Sequence, residues 1–444
     1  MDLKYSGTAR TAIVRKNILG SICLKAISML VSYALVPLTL GFLSSELYGV
    51  WLTISTILVW LGFLDLGFSQ GLKNKLIEAI AKEDWYLGKS LVSSCYFVMF
   101  IIFVPSCFLF EMLIPNVNWA NFLNVSVKYN LEITKAIQLL VLFACIQMIV
   151  NVITSVVAAF QKVALASSFS VLGNVLSLLL IYFLVKVSHP SLVNLSIAFA
   201  SMPIGVMIVA TFLLFRGKYR KIAPSIRHIT KSHLLSLLSL GYKIFIVNVQ
   251  VVVLYQGTNF LISTLSSPNE VTTYNIAYKL MNFSMLLYTI IINPLWPAYA
   301  DAYAKNDYKW MKLTRKRMIK ILYLSIFGCC LISFIAPWIY KLWIGNAVHI
   351  PPTMTYLVAL YVVIYCWVNL NGTLLIGMGK IKMSTIISVF GLLIHIPLSV
   401  FCASYFGAYG VIFSLILINL IYAVVEHFQV NMILNKKAFG VWLK

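Results

Sequence analysis

Three lysines lie inside long apolar runs of this chain: Lys25, Lys243 and Lys279. A charged side chain at the centre of a membrane-spanning helix costs ~2.5–3.5 kcal/mol even on insertion scales, so such residues tend to face a polar interior and serve a purpose there. With Lys25, the side chains of Ser21, Ser28, Ser32 and Thr39 project within an arc of about 60° at ~100° per residue. With Lys279, those of Asn275, Asn282, Thr289 and Asn293 fall within about 80°. Gln147, Asn151, Thr154 and Gln161 share a third face, and Ser384, Ser388, His395 and Ser399 a fourth. Amides and hydroxyls beside ammonium groups are suited to holding a hydrated, anionic solute. Four such stripes cannot all meet lipid, and they predict a shared water-filled cavity. A single Ser, Thr or Asn serves equally well as glue between helices, so the lysines carry the functional reading.

Other ionisable residues in apolar surroundings admit two readings each. Asp65, in FLDLGFSQG, is the one acid well inside its stretch and lies about as deep as Lys25. The two form either a static pair that fixes packing or a pair that breaks when a solute binds. Lys243 is about two turns from a span end, within reach of the interface by snorkelling. His395 shares the fourth stripe and is either a protonation site or a satisfied core histidine. Glu426 and His427, near the end of the last apolar run, relay protons or simply reach the interface. The basic run Lys312–Lys320 (KLTRKRMIK) suits anionic headgroups or diphosphates, and equally a topogenic loop.

The elements that must position these residues follow from composition. The chain is 61% hydrophobic and 10% charged, with a mean hydropathy of +0.93. Soluble domains carry about a quarter charged residues, so this is an all-α integral membrane protein. The alternating ~10-residue segments of a barrel are absent. Apolar runs predict about twelve spans, at roughly 17–41, 47–71, 90–114, 136–160, 165–187, 192–215, 236–264, 272–300, 318–342, 354–377, 384–405 and 408–431. Pro37, Pro203, Pro294, Pro297, Pro337 and Pro397 fall inside them as candidate kinks. The loops on the N-terminal side hold 27 Lys and Arg against 4 on the other, which predicts cytoplasmic termini. That placement also accounts for the net charge of +22 without nucleic acid.

A short segment occurs twice. AIAKEDWYLGK at 79–89 and AYAKNDYKWMK at 302–312 are 223 residues apart, and LSSELYGVW at Leu43 is echoed by LSSPNEVTTY at Leu265. The offset is half the chain and places six spans in each half. An even number keeps both halves in one orientation, predicting two like-oriented six-helix lobes, 1–215 and 234–444, joined by a basic linker at 216–233.

Several functions are disfavoured. The eight cysteines all lie in apolar runs without metal spacing. No GxxxxGK[ST] loop is present, and Gly377-Met378-Gly379-Lys380 lacks the strand and helix that motif needs, so no ATP use is expected by that route. No large exterior loop offers a catalytic pair of acids, and the reading is of a transporter without catalytic residues, metal or cofactor.

RKNILGSICLKAISMLVSYALVPLTLGFLSSELYGVW, followed by FLDLGFSQGLKNKLIEAIAKEDW, resembles bacterial polysaccharide flippases of the O-antigen type. These belong to the multidrug/oligosaccharidyl-lipid/polysaccharide exporter superfamily, with its MATE-like fold. The matched elements are Arg15-Lys16-Asn17, Pro37, Leu47-Tyr48-Gly49 and Asp65-Leu66-Gly67, and the likeness is strongest over residues 10–90. The resemblance implies an undecaprenyl-diphosphate-linked oligosaccharide as cargo, moved across the bacterial inner membrane by alternating access. Lys25, Lys279 and Lys243 with Asn275, Asn282, Asn151 and Gln147 would then form its cationic cavity. It further implies membrane lipid as a partner, a polysaccharide polymerase and chain-length regulator as candidate partners, and coupling to a proton or sodium gradient. Two alternatives stay open: a drug or metabolite exporter of the same fold, and a membrane-embedded glycan-assembly enzyme such as a polymerase. The scarcity of acids argues against the first for cationic cargo, and the absent catalytic loop against the second. If the Lys25–Asp65 pair switches, Asp65→Asn should reach the membrane yet fail to restore surface glycan to a flippase-deficient strain. Full restoration discards the switch.

Overall fold

A computed structural model describes residues 7–63, 68–160, 162–230, 257–292, 295, 299, 302–303 and 305–443. Helices dominate the described residues, and no strand occurs among them. They are α1 (Gly7–Phe42), α2 (Ser45–Phe63), α3 (Phe68–Ala81), α4 (Trp85–Leu113), α5 (Asn130–Val150), α6 (Val152–Ala159), α7 (Val163–Val187) and α8 (Leu192–Arg216). After the linker come α9 (Thr258–Leu265), α10 (Pro268–Ile292), α11 (Tyr308–Ile344), α12 (Pro352–Met378), α13 (Lys382–Phe406) and α14 (Ala408–Leu434). Ten helical stretches among the described residues are long and apolar enough to cross a membrane. Most of the predicted seventh span lies outside the described residues, as do Asp65, Gln161, Lys243, Asn293, Pro294 and Pro297. Pro37, Pro203, Pro337 and Pro397 all sit within continuous helices.

The chain divides into two compact units, Met1–Leu47 with Ile54–Val252, and Tyr48–Thr53 with Val253–Lys444. In the first, α1 packs on α7, α7 on α8, and α5 on both α4 and α8. A Cβ at Gly173 would stand 2.4 Å from Pro203 Cα, so α7 and α8 meet there at backbone contact that only glycine permits. In the second unit, α14 packs against α12 and α13, and α10 against α12 and α11. An acid caps a helix in each unit: Glu132 Oε1 accepts from Leu192 N (2.7 Å) at the start of α8, and Glu270 Oε2 from Ala408 N (3.3 Å) at the start of α14.

The repeated segment is a helix corner. In the first copy Asp84 N donates to Ala79 O (2.9 Å) and Glu83 N to Ile80 O (3.1 Å), with Glu83 at φ 56°. In the second, Asp307 N donates to Ala302 O (2.8 Å) and Asn306 N to Tyr303 O (3.0 Å), with Asn306 at φ 58°. These are the paired bonds that close a helix through a left-handed residue. The same aspartates then open the next helix, Asp84 Oδ1 accepting from Leu87 N and Asp307 Oδ1 from Trp310 N, both at 2.9 Å. The second echo, 222 residues apart by its leucines, falls into the 223-residue register of the first once its hydrogen bonds are compared. Ser44 Oγ accepts from Leu47 N (3.2 Å) and Ser267 Oγ from Glu270 N (3.4 Å), again 223 residues apart.

The linker after α8 is tied down over its described part. Ser90 Oγ bonds His228 O (2.8 Å), Ser93 Oγ accepts from Ser225 N (2.9 Å) and Ser94 Oγ from Thr230 N (3.2 Å). Tyr219 is buried and stacks on Phe160 at 4.5 Å, and burial raises its phenol above the ordinary pKa. The segment thus belongs to the first unit through the serines of α4.

Replacing Asp84 or Asp307 by Ala removes a cap and should cost about 1 kcal/mol each, whereas Asn retains most of it. Thermal unfolding of the purified single variants checks this: both alanine variants should melt earlier than their asparagine counterparts.

Candidate functional site

Within the first unit, Lys25 is exposed on α1, and Ser28 and Ser32 are half-buried on the same helix. Thr39 is buried and turns back on its own helix, donating to Leu35 O at 2.6 Å. Gln147 and Asn151 are half-buried. The predicted fourth span runs through α5 and α6, which meet at Asn151 in helical conformation, Thr154 Oγ1 lying 2.7 Å from Asn151 O and 3.1 Å from its Oδ1. Lys25 stands on a helix packed on α7, and Gln147 on one packed on α4 and α8.

In the second unit the polar face of α10 has company. Asn275 Nδ2 donates to Asn259 Oδ1 on α9 and to Val271 O, both at 2.9 Å. Lys279 and Asn282 are half-buried further along, and Asn282 Oδ1 is buried without a hydrogen-bond partner among the described residues. Beside them runs a line of tyrosine rings: Tyr274 to Tyr278 at 5.8 Å on α10, Tyr278 to Tyr361 at 6.3 Å, and Tyr361 to Tyr365 at 6.1 Å on α12. Tyr274 and Tyr361 are buried, and Tyr278 and Tyr365 half-buried. Amides, an ammonium and the two half-buried phenol rings on adjoining helices suit sugar hydroxyls and an anionic group. The tyrosines and Asn259 were not picked out from sequence, although the i, i+4 spacing of both tyrosine pairs marks one helix face each.

The fourth stripe behaves differently from its reading as a cavity wall. His395 is 0% exposed, and its Nδ1 lies 3.1 Å from Ser414 Oγ on α14. Ser399 Oγ bonds the same serine at 2.8 Å. At these positions the stripe is a packed α13–α14 seam, because Ser414 offers the partner that water would otherwise supply. His395 Nε2 is buried without a partner among the described residues. Glu426 does not reach an interface: it is 6% exposed on α14, with Oε2 3.6 Å from where a Cβ on Gly372 would be. Its neighbour His427 instead meets Arg315 of the basic run, Nδ1 to a guanidinium nitrogen at 2.9 Å. Gly379, in the phosphate-loop lookalike, is the left-handed cap of α12.

With the geometry in place, comparison with known proteins fixes the architecture. A solved structure described as the inward-facing conformation of a multidrug resistance MATE family transporter of the MOP superfamily superposes with a TM-score of 0.78. The match covers 92% of this chain and 95% of that one at 14% identity. The fold is that of the MATE transporters. An outward-facing structure of such a transporter matches with a TM-score of 0.63 at 17% identity, over 96% of this chain and 97% of that one. The MatE family model matches residues 243–401, a stretch of the MATE fold that holds Lys279 and the tyrosine line. Among curated proteins, a "Putative O-antigen transporter" of Salmonella typhimurium is 24% identical over 428 residues, 92% of each chain. A "Putative O-antigen export protein" of Yersinia pseudotuberculosis is 22% identical, over 81% of this chain and 82% of that one.

Asn282 supplies a test internal to this MATE fold. A buried acceptor left unpaired costs folding free energy, so Asn282→Leu should hold or raise the melting temperature of the purified protein. A clear drop would mean that the carboxamide has a structural partner.

Proposed function

We propose that this chain is a flippase for a lipid-linked oligosaccharide, moving an undecaprenyl-diphosphate-linked repeat unit across the bacterial inner membrane. It is a membrane transporter of MATE type rather than an enzyme, given its fold and its relatives named for O-antigen transport and export. The observation that carries the cargo assignment is the near-complete coverage of the Salmonella relative, 92% of both chains. The second unit's chemistry supports it: Lys279 for the diphosphate, with Asn275, Asn282 and the half-buried rings of Tyr278 and Tyr365 for sugar faces, over the buried Tyr274 and Tyr361. In the first unit, Lys25 and Lys243 are the cations and Asn151 and Gln147 the polar residues proposed for the same cargo. Both termini are cytoplasmic, and the cargo's polyprenyl tail stays in lipid while its head passes by alternating access. Coupling to a proton or sodium gradient is part of the proposal, with His395 and Glu426 as the buried titratable candidates in the second unit. A polymerase and a chain-length regulator would receive the flipped unit.

Lys25→Ala and Lys279→Ala should each reach the membrane and restore markedly less surface glycan to a flippase-null strain than the parent chain. Each removes a cation from the path of a diphosphate. Wild-type glycan from both variants overturns the cationic-cavity reading.

A further inference from the structure

The run Lys312–Lys320 holds five cations, and the fold separates one from the rest. Lys312, Lys316, Arg317 and Lys320 are exposed on α11, while Arg315 is 7% exposed and points inward with Met311, Thr314 and Leu322. Its guanidinium reaches two other helices. One terminal nitrogen donates to Asn431 Oδ1 on α14 at 2.5 Å, and the other to Asn371 Oδ1 on α12 at 3.0 Å and to His427 Nδ1 on α14 at 2.9 Å. No carboxylate pairs with it among the described residues, where the one ion pair is Lys75–Glu78. A buried guanidinium without a counter-charge is costly.

The hydrogen bonds around it do not close. Arginine only donates, so His427 Nδ1 accepts and the ring proton sits on Nε2. Nε2 lies 2.8 Å from Asn431 Nδ2, which is also a donor. Turning the Asn431 amide over brings its NH2 against the Arg315 nitrogen now bonded to its oxygen. Either arrangement sets a donor against a donor. Asn371 gives no relief, because its own Nδ2 is held by Trp367 O at 3.0 Å. Two further polar atoms nearby are buried without partners among the described residues: Arg315 Nε, and the hydroxyl of Tyr299, which is 0% exposed and within electrostatic reach of Arg315. Among the described residues the cluster therefore holds one full positive charge, too many N–H groups and one acceptor too few.

We infer that the Arg315–His427–Asn431 cluster is a binding site for a phosphate-type oxyanion. Such a group supplies both missing quantities at once, negative charge and several acceptor oxygens, and arginine's planar fork suits it. The four exposed cations on the same turns of α11 would concentrate anions at its approach. The inference goes beyond the flippase reading and does not depend on the cargo. The oxyanion is either a lipid headgroup phosphate or a soluble or cargo-borne phosphate.

The test uses the full chain in neutral detergent, with sodium pyrophosphate or phosphate compared with chloride at equal ionic strength. Pyrophosphate or phosphate should raise the melting temperature saturably, by roughly 2–4 °C. Arg315→Gln should abolish the rise. Should that variant fail to accumulate, Asn431→Asp carries the test alone, because it builds the missing acceptor and charge into the ring. It should melt higher than wild type without added anion and lose the response. Repeating the titration in nanodiscs separates the sources. A response present in phosphatidylcholine, whose phosphate is charge-compensated by its choline, and absent in phosphatidylglycerol, whose phosphate is not, identifies an anionic lipid phosphate, and one retained in both identifies a soluble or cargo phosphate. No difference between phosphate-type anions and chloride for wild type in detergent overturns the proposal and leaves the cluster to water. A wild-type response that Asn431→Asp keeps in full also overturns it, by placing the anion elsewhere.

Discussion

Inside hydrocarbon there is no water to pair with a polar atom, and the arrangement of this chain follows from that single constraint. Helices satisfy the backbone, and a number of the hydroxyls borrow from it. Thr134 donates to Asn130 O, Ser196 to Leu192 O, Thr211 to Met207 O and Ser333 to Cys329 O, each four residues back at 2.7 or 2.8 Å. A hydroxyl bonded in this way is electrically almost silent, so it can sit on any face. The residues that cannot be silenced locally are the amides, the histidines and the buried charges. They have to find partners on other helices, as Asn275 does with Asn259, His395 with Ser414 and Arg315 with Asn371 and Asn431.

The same distinction explains what could be read from residue order. Apolar runs of spanning length reveal helices because thickness is the only requirement, and ten of these helices appear among the described residues. The half-chain echo was legible because helix corners need particular residues: a tolerant left-handed position and an aspartate that can cap. Its aspartates are structural caps, more than the solvated loop residues their polarity suggests. Polar stripes were less legible. Periodicity says which residues share a face, and nothing about whether that face meets water or a serine on the next helix. Asn275 and His395 looked alike on paper, yet one borders a tyrosine-lined face and the other is sealed between α13 and α14.

Arg315 was hidden for a different reason. Among Lys312, Lys316, Arg317 and Lys320 it has no distinguishing chemistry, and only helical phase with Met311 and Leu322 sets it apart. Glu426 is comparable: nearness to a span end suggested the interface, while packing against Gly372 keeps it inside. In both cases depth along the helix axis was legible, and rotation about the axis was not.

The corner at Asp84, and its twin at Asp307, has a bearing on how such chains can vary in length. One residue there closes the helix behind it and opens the helix ahead, so the two helices share an atom-level joint with no slack. Adding or deleting a residue at 82–85 or 305–308 would separate the two roles and rotate everything downstream by ~100° per residue. Related chains should therefore absorb their insertions and deletions elsewhere, in segments where no side chain serves two helices at once.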